Sequence, residues 1–560
     1  VSLELSSNPT STEAPATRWG AFGHVAFTVI WTASMISNVG IAMFDTASGW
    51  YMTNLSRDPM TVSLVQAATS LPLFLFTLPA GALTDIVDPR RLLIVVEFGV
   101  ALVSAVFAVL VAFGYTTPDL LLAVTFLLGC GGALCAPGWV SITPLLVPRR
   151  DLDQAVAANT VGYNLSRAVG PALGGLAIAA FGVALPFWIY AASNVVILSA
   201  LFWWRQPRRA GDGLPTERLI SAVRTGIRHA RNNSHLHSTL VRTVAFFPFA
   251  SAYWALLPLV ARAQMTQGPQ FYGLLLGAIG VGAIVGSLLL NGLKARLGPD
   301  GLVAVSTVGT AVALVGLGLA HDAAMALTAC FLAGLTWTLA LAGLYVSAQV
   351  ALPDWVRGRG LAIFLTVIFG ASALGSALWG QIAGWQGLSV AHFVAAAGIM
   401  LFIPLTWRFK LQTGLGVNLT PSLHWRAPRV AVDIGLRQGP VLITVEYHID
   451  PKDHVVFLQG MEEVGRERKR DGAFAWGVFE DLSAGPGHFL ETFLIESWLE
   501  LIHLRERVTQ ADKMMEERVR RLLIVNPPKA TFLIAPKRPC ANKRRRLLHS
   551  LAAIVEGDRG

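Results

Sequence analysis

The sequence predicts an all-α membrane bundle of twelve transmembrane helices in two six-helix halves, followed by a small α+β domain of ferredoxin-like order. Three observations predict it. Charged residues make up only 14 % of the chain, against roughly 25 % in a soluble domain, and the deficit lies before Arg408. Twelve apolar runs each reach about 20 residues, enough for a helix to cross about 30 Å of hydrocarbon. Part of the pattern also recurs: Phe126, Leu127, Gly129, Leu134, Gly138 and Pro148 align without gaps on Phe331, Leu332, Gly334, Leu339, Gly343 and Pro353.

The runs fall at 22–54, 60–84, 91–115, 119–147, 155–181, 184–204, 240–263, 271–293, 301–320, 323–350, 360–384 and 389–407. Helices are required because lipid offers no partner to an open backbone group. The recurrence matches the fourth run with the tenth, so the chain reads as a duplication of six helices, with a substrate site expected between the halves. The expected division is a disordered polar lead-in at 1–20, halves at 21–204 and 240–410, and linkers at 205–239 and 411–439. A soluble module follows at 440–536 and a basic tail at 537–560. The lead-in lacks the basic and apolar pattern of a secretory signal.

The net charge of +10 sits in short segments between apolar runs, which fits membrane orientation and not a nucleic-acid groove. Arg90, Arg91, Arg149, Arg150, Lys294, Arg296, Arg357 and Arg359 occupy one set of loops, with Arg205, Arg208, Arg209, Arg218, Arg224, Arg228 and Arg231 in the long middle segment. The other loops hold little more than Arg57 and Arg262. Both termini are therefore expected on the cytoplasmic side of the membrane. Residues 216–231 read as an amphipathic helix lying on the membrane surface or in solvent. Cys130, Cys135, Cys330 and Cys540 show no metal-ligand spacing, and neither a metal nor a cofactor is expected.

Polar groups inside the runs mark the candidate site. Asp45 is a lone carboxyl in the first run, suited to taking up and releasing a proton. Arg167 in the fifth run and Glu97 in the third are further proton-coupling candidates, with Glu97 expected to pair with Arg90 or Arg91. Trp31, Asn38, Gln66, Asn159, Tyr163, Tyr253, Trp254, Trp337, Tyr345 and Gln349 are candidates to line a cavity, although each alone is more often packing. In the fifth run Gly162, Ser166, Gly170 and Gly174 recur every four residues, a flat ridge for close helix approach. Ser372, Ser376, Gly380 and Gly384 form a weaker counterpart.

Gly81, Asp85, Arg90 and Arg91 resemble the major facilitator superfamily signature between helices two and three, a latch between an acid and basic groups. Ile86 and Asp88 stand where that pattern has Arg and Gly. Gly170, Pro171, Gly174 and Gly175 resemble the helix-five motif of the superfamily's exporters, with Ser166 replacing its first glycine. The strings Leu78–Asp85 and Arg167–Pro171 are most similar to the enterobactin-exporter-like and multidrug-efflux branch. The resemblance implies a proton-coupled exporter of small amphipathic molecules such as siderophores, drugs or secondary metabolites. Lipid or lysophospholipid transport is a rival reading.

The module reads as β-α-β-β-α-β, with strands at 441–447, 473–479, 489–495 and 530–534 and helices at 451–470 and 497–523. Gly472–Gly477 and Glu491–Trp498 resemble the antibiotic-biosynthesis-monooxygenase-like module. That resemblance implies pairing of two copies through the sheet, and raises a membrane-anchored enzyme or a ligand-sensing transporter as alternatives. His448, His454, His488 and His503 are scattered, so no catalytic set is expected.

Overall fold

The computed structural model describes residues 20–205, 219–413, 418–422, 424–425, 435, 438–525 and 527–536, without the side chains of 82, 84–86, 219–225 and 506. The expected lead-in and basic tail lie outside these residues. The described residues form two compact units. One lies within 20–223, 238–349 and 361–413; the other comprises 224–237, 350–360 and the C-terminal module.

The membrane unit contains α1 (Val25–Leu55), α2 (Pro59–Ile86), α3 (Pro89–Ala112), α4 (Pro118–Leu146), α5 (Leu152–Phe181) and α6 (Ala184–Trp203). After the linker helix α7 (Leu219–Asn232) come α8 (Ser234–Leu259), α9 (Pro269–Gly318), α10 (Ala323–Val350), α11 (Arg357–Gln386) and α12 (Leu388–Thr406). α9 is two spans in one: Gly298 breaks it at φ 66°, a left-handed backbone that glycine adopts without the Cβ clash of other residues. Counting both parts of α9, the described residues give the twelve predicted segments. Starts follow the local chemistry. Asp58, Asp88 and Thr117 accept backbone N–H bonds at the caps of α2, α3 and α4, and a proline opens each helix, where its missing N–H costs nothing.

The duplication is visible in the packing. A Cβ on Gly129 of α4 would meet Pro72 of α2, and one on Gly334 of α10 would meet Ile279 in the first part of α9. Gly138 faces Leu93 of α3, while Gly343 faces Leu302 in the second part of α9. Equivalent glycines thus admit equivalent neighbours in the two halves.

The C-terminal module holds β1 (Val441–His448), α13 (His454–Asp471), β2 (Ala475–Glu480), β3 (His488–Ile495), α14 (Trp498–Arg507), α15 (Gln510–Arg520) and β4 (Lys529–Ile534). Its antiparallel sheet has the order β2-β3-β1-β4, the ferredoxin-like arrangement. Val441, Ile443 and Phe493 pack with Trp498, Leu501 and Leu504 of α14. Tyr447 and Phe489 pack with Phe457, Met461 and Val519 of α13 and α15. The opposite face carries Leu442, Thr444 and Glu446 in register with Leu494, Thr492 and Leu490.

Three expectations are corrected. The helix expected over 497–523 is two, because Val508 turns extended and Thr509 starts α15 with a reciprocal capping box to Asp512. Part of the expected 411–439 linker belongs to the module: Pro421 bridges Thr509, and His424 and Trp425 both bond Glu516. The end of α7 lies against the module instead of lipid or solvent, with His229 only 1 % exposed.

The module's core is polar at its centre. Arg468 donates to Glu491 at 3.3 Å and to Glu516 at 2.7 Å, and stacks 4.5 Å from the Trp425 ring. Tyr447 and Trp476 also donate to Glu491. Burial pushes the Glu516 carboxyl up, but Arg468 and His424 together outweigh it and hold it down at about 2. The stabilisation is therefore full above pH 4.5 and is lost as pH falls toward 2. Arg468→Leu is expected to destabilise the module by about 3–5 kcal/mol, because two buried carboxylates lose their cation. Limited proteolysis of the full chain, following cleavage within 441–534, checks this.

Candidate transport site

The site starts from α1. This helix packs against α5 and α6, and also meets α2, α4 and α9. Its buried face is Gly40, Met43, Phe44 and Ala47, while Ile41 and Asp45 stay exposed. Asp45 thus lies on the strip of α1 that its neighbours leave uncovered.

Arg167 lies on α5, half-buried, with its guanidinium 5.8 Å from the Tyr163 ring and 5.9 Å from the Trp254 ring of α8. Asn159, one turn further along, donates to Thr143 of α4. The structure therefore brings Tyr163, Arg167 and Trp254 together across the two halves. Tyr253, by contrast, is fully buried, beside Trp254 and edge-on to Trp337. Trp337 packs edge-on to Phe247 and Tyr345 to Phe364, while Gln349 is exposed near the end of α10. Gln66 bonds Ser70 on its own helix, and Trp31 packs against Phe22 beside Gly162. Asn38 is half-buried on α1.

Glu97 does not pair with Arg90 or Arg91. It is buried in the N-terminal half, where Trp139 and Cys135 of α4 donate to it. Arg90 instead donates to the carbonyls of Leu201 and Phe202 at the end of α6, at 3.1 and 3.2 Å. Those last carbonyls have no helical partner, and a cation there also suits the helix dipole. Arg91 gives its backbone N–H to Asp88. Of the latch motif, Gly81 and Asp85 lie on α2, and the Asp85 side chain falls outside the described residues.

The helix-five glycines divide into two sets. A Cβ on Gly162, Gly170 or Gly174 would meet α1, at Met35, Ala42 and Met43 respectively, and Ser166 lies against Met35. Gly175 and Pro171 instead touch α9: a Cβ on Gly175 would stand 3.0 Å from Gly273, whose own Cβ would stand 2.7 Å from the Pro171 carbonyl. Gly280 of α9 meets Ala168 in the same way. In the counterpart on α11, Gly380 faces Ser63 of α2, and Ser376 bonds its own helix at Ser372. A Cβ on Gly384 would stand 3.9 Å from the Asp58 carboxylate.

A further contact between the halves lies at the end opposite the basic loops. There Arg262, after α8, donates to Thr53 at 2.8 Å and to Asn54 of α1, with its guanidinium 5.6 Å from the Trp50 ring. Trp50 stacks on Tyr272 of α9. Sequence reading placed Arg262 only in a loop; its signal was being a rare cation at an end depleted in them. Arg242 was missed too. It is 3.0 Å from Asp300 and donates to the Phe409 carbonyl beyond α12, the counterpart of Arg90 at the end of α6.

Two packed six-helix halves are the architecture of a membrane transporter of the major facilitator type. The nucleoside transporter NupG has this fold (TM-score 0.54, 12 % identity, over 69 % of this chain and 99 % of that one). So does a POT family transporter solved with a thioalcohol-conjugated peptide (TM-score 0.56, 11 % identity, 68 % and 95 %). The family model of transmembrane secretion effectors matches residues 16–539, and the chain belongs to that major facilitator family. Its relatives include the enterobactin exporter EntS of Salmonella typhimurium, 26 % identical over 68 % of this chain and 90 % of that protein. The multidrug efflux pump Tap of Mycolicibacterium fortuitum is 24 % identical over 66 % and 92 %.

Gly170→Leu is expected to cost about 1–3 kcal/mol by overpacking α1 within one half, read as a lower melting temperature in detergent. Arg262→Ala removes hydrogen bonds to a charged group worth about 1.5–3 kcal/mol. It is expected to speed maleimide labelling of a cysteine placed at Leu55 by roughly tenfold or more.

Proposed function

We propose that this protein is a secondary active exporter of amphipathic small molecules, such as siderophores or drugs, driven by proton influx through alternating access. What supports the reading is an acid, Asp45, and a cation, Arg167, lying within α1 and α5, with the Arg167 guanidinium against the Trp254 ring of the other half. The basic loops and both termini lie in the cytoplasm of a bacterial cell by the positive-inside bias. The end where Arg262 joins the halves is then the outer gate. The relatives' names, an enterobactin exporter and a multidrug pump, support the substrate class.

Rocking of one half against the other moves access across the site. Gly175, Gly273 and Gly280 let α5 and α9 slide at close range, since no side chain interlocks them. Asp45 takes up a proton from outside and releases it inside, and its charge sets how strongly Arg167 attracts other groups. Trp254 and Tyr163 offer aromatic faces to an apolar substrate beside that charge.

The module's open sheet face, with Leu442, Leu494 and the 51 % exposed Leu533, pairs with a second copy to give a homodimer. Cross-linking through a cysteine at Thr444 tests that pairing.

Purified protein in proteoliposomes, given ethidium and iron-free enterobactin in turn, tests the main reading. Uptake of either probe against an imposed proton gradient, abolished by a protonophore, is expected. Asp45→Asn is expected to cut gradient-driven movement at least about tenfold while leaving the melting temperature unchanged. Unchanged transport over a range of gradients would remove Asp45 from the coupling.

A further inference from the structure

The second compact unit joins three stretches that are far apart in sequence: the end of α7, residues 350–360 between α10 and α11, and the C-terminal module. Their contacts are specific and buried. Arg507 of α14 donates to Glu500 and, at 3.1 Å, to the Asp471 carbonyl at the end of α13. The same guanidinium lies 4.4 Å from the Trp355 ring. Glu500 also pairs with Arg228 of α7 at 3.3 Å. His229, the next residue, meets Trp355 edge-on at 5.4 Å.

Asn233 completes the set. Its side-chain oxygen accepts the N–H groups of His235 and Leu236, capping the start of α8, while its amide donates to the Ala351 carbonyl at 2.8 Å. One side chain thus ties the head of α8 to the chain leaving α10. Arg507, with 5 % of its surface exposed, gains more from Glu500 than a surface pair would, and losing either partner strands a buried charge. Burial pushes the His229 imidazole down to about 3, so it stays neutral.

We infer that the C-terminal module is a clamp on the loop between α10 and α11 and on the end of α7, through which the module controls the movement of the C-terminal six helices. The inference rests on the transporter reading and adds a route of control to it. The stretches held by Glu500, Arg507 and their partners run straight into α8, α10 and α11. The loop after α4, which corresponds to 350–360 in the duplication, instead has Asp151 bonded to His24 at 2.9 Å. The stretches that the clamp holds belong to the C-terminal six helices. Binding or pairing at the module stiffens that half, leaving the other free to rock against it.

The test uses the full chain in lipid nanodiscs and proteoliposomes, comparing the parent with Trp355→Ala and Arg228→Ala. Both changes lie outside the module's own sheet and helices, so the module keeps its fold. Hydrogen–deuterium exchange is expected to rise at least about tenfold in peptides covering 350–360 and 226–233, and to stay unchanged over 147–152. Proton-driven ethidium movement is expected to change at least about threefold. Unchanged exchange at 350–360 overturns the clamp. Faster exchange with unaltered ethidium movement overturns its control of transport. If the parent moves no ethidium, the exporter reading fails on its own, and the exchange result still decides whether the module holds the loop.

Discussion

The membrane unit depends on how closely α5 approaches both α1 and α9. Lipid tails are as apolar as leucine, so helices in a bilayer gain nothing from hiding apolar side chains from one another. They associate through van der Waals contact, which grows as backbones approach. Gly170 and Gly174 bring α5 onto α1, and Gly175 with Gly273 and Gly280 brings it onto α9. The helix that carries Arg167 is therefore fixed from two sides, and the guanidinium is set beside Trp254 of the other half. A larger side chain at any of these glycines would move the cation as well as the helix.

Charge follows a second rule, set by the cost of leaving it unpaired in hydrocarbon. Most of it sits at helix ends and serves their orphan backbone groups. Arg90 takes the last carbonyls of α6; Arg242 reaches the carbonyl beyond α12, and Asp300 accepts the N–H of Leu411 there. The duplication has kept the task while changing the residues, since the first half uses a cation after α2 and the second an acid and a cation from different elements. Asp45 and Arg167 break this pattern by lying mid-helix.

The twelve spans, the duplication and the strand order of the module were legible because each rests on local periodicity or on direct repetition. The two functions of the helix-five glycines were not. Spacing by four shows that Gly162, Ser166, Gly170 and Gly174 share a face, but not that this face meets α1, or that Gly175, one residue on, meets the other half. Pairings such as Arg90 with α6 and Glu97 with Trp139 join distant elements, and charge pattern alone favoured the nearer partners. The break at Val508 was hidden because the apolar period continues from α14 into α15 while Thr509 and Asp512 form their cap. Trp425 looked like linker because its neighbours are polar and proline-rich, and only the fold shows it stacked on Arg468.

The two units handle buried charge in opposite ways, and the difference bears on how precisely each is built. In the membrane unit Asp45 and Arg167 have no close ion pair among the described residues. In the module Arg468 is fixed by two carboxylates, and those carboxylates by Tyr447, Trp476, His424 and Trp425. Such a network is stable only when every member is in place. It draws in residues 424–425 as well as β1, β3, α13 and α15, so the segment entering the module is locked with its core.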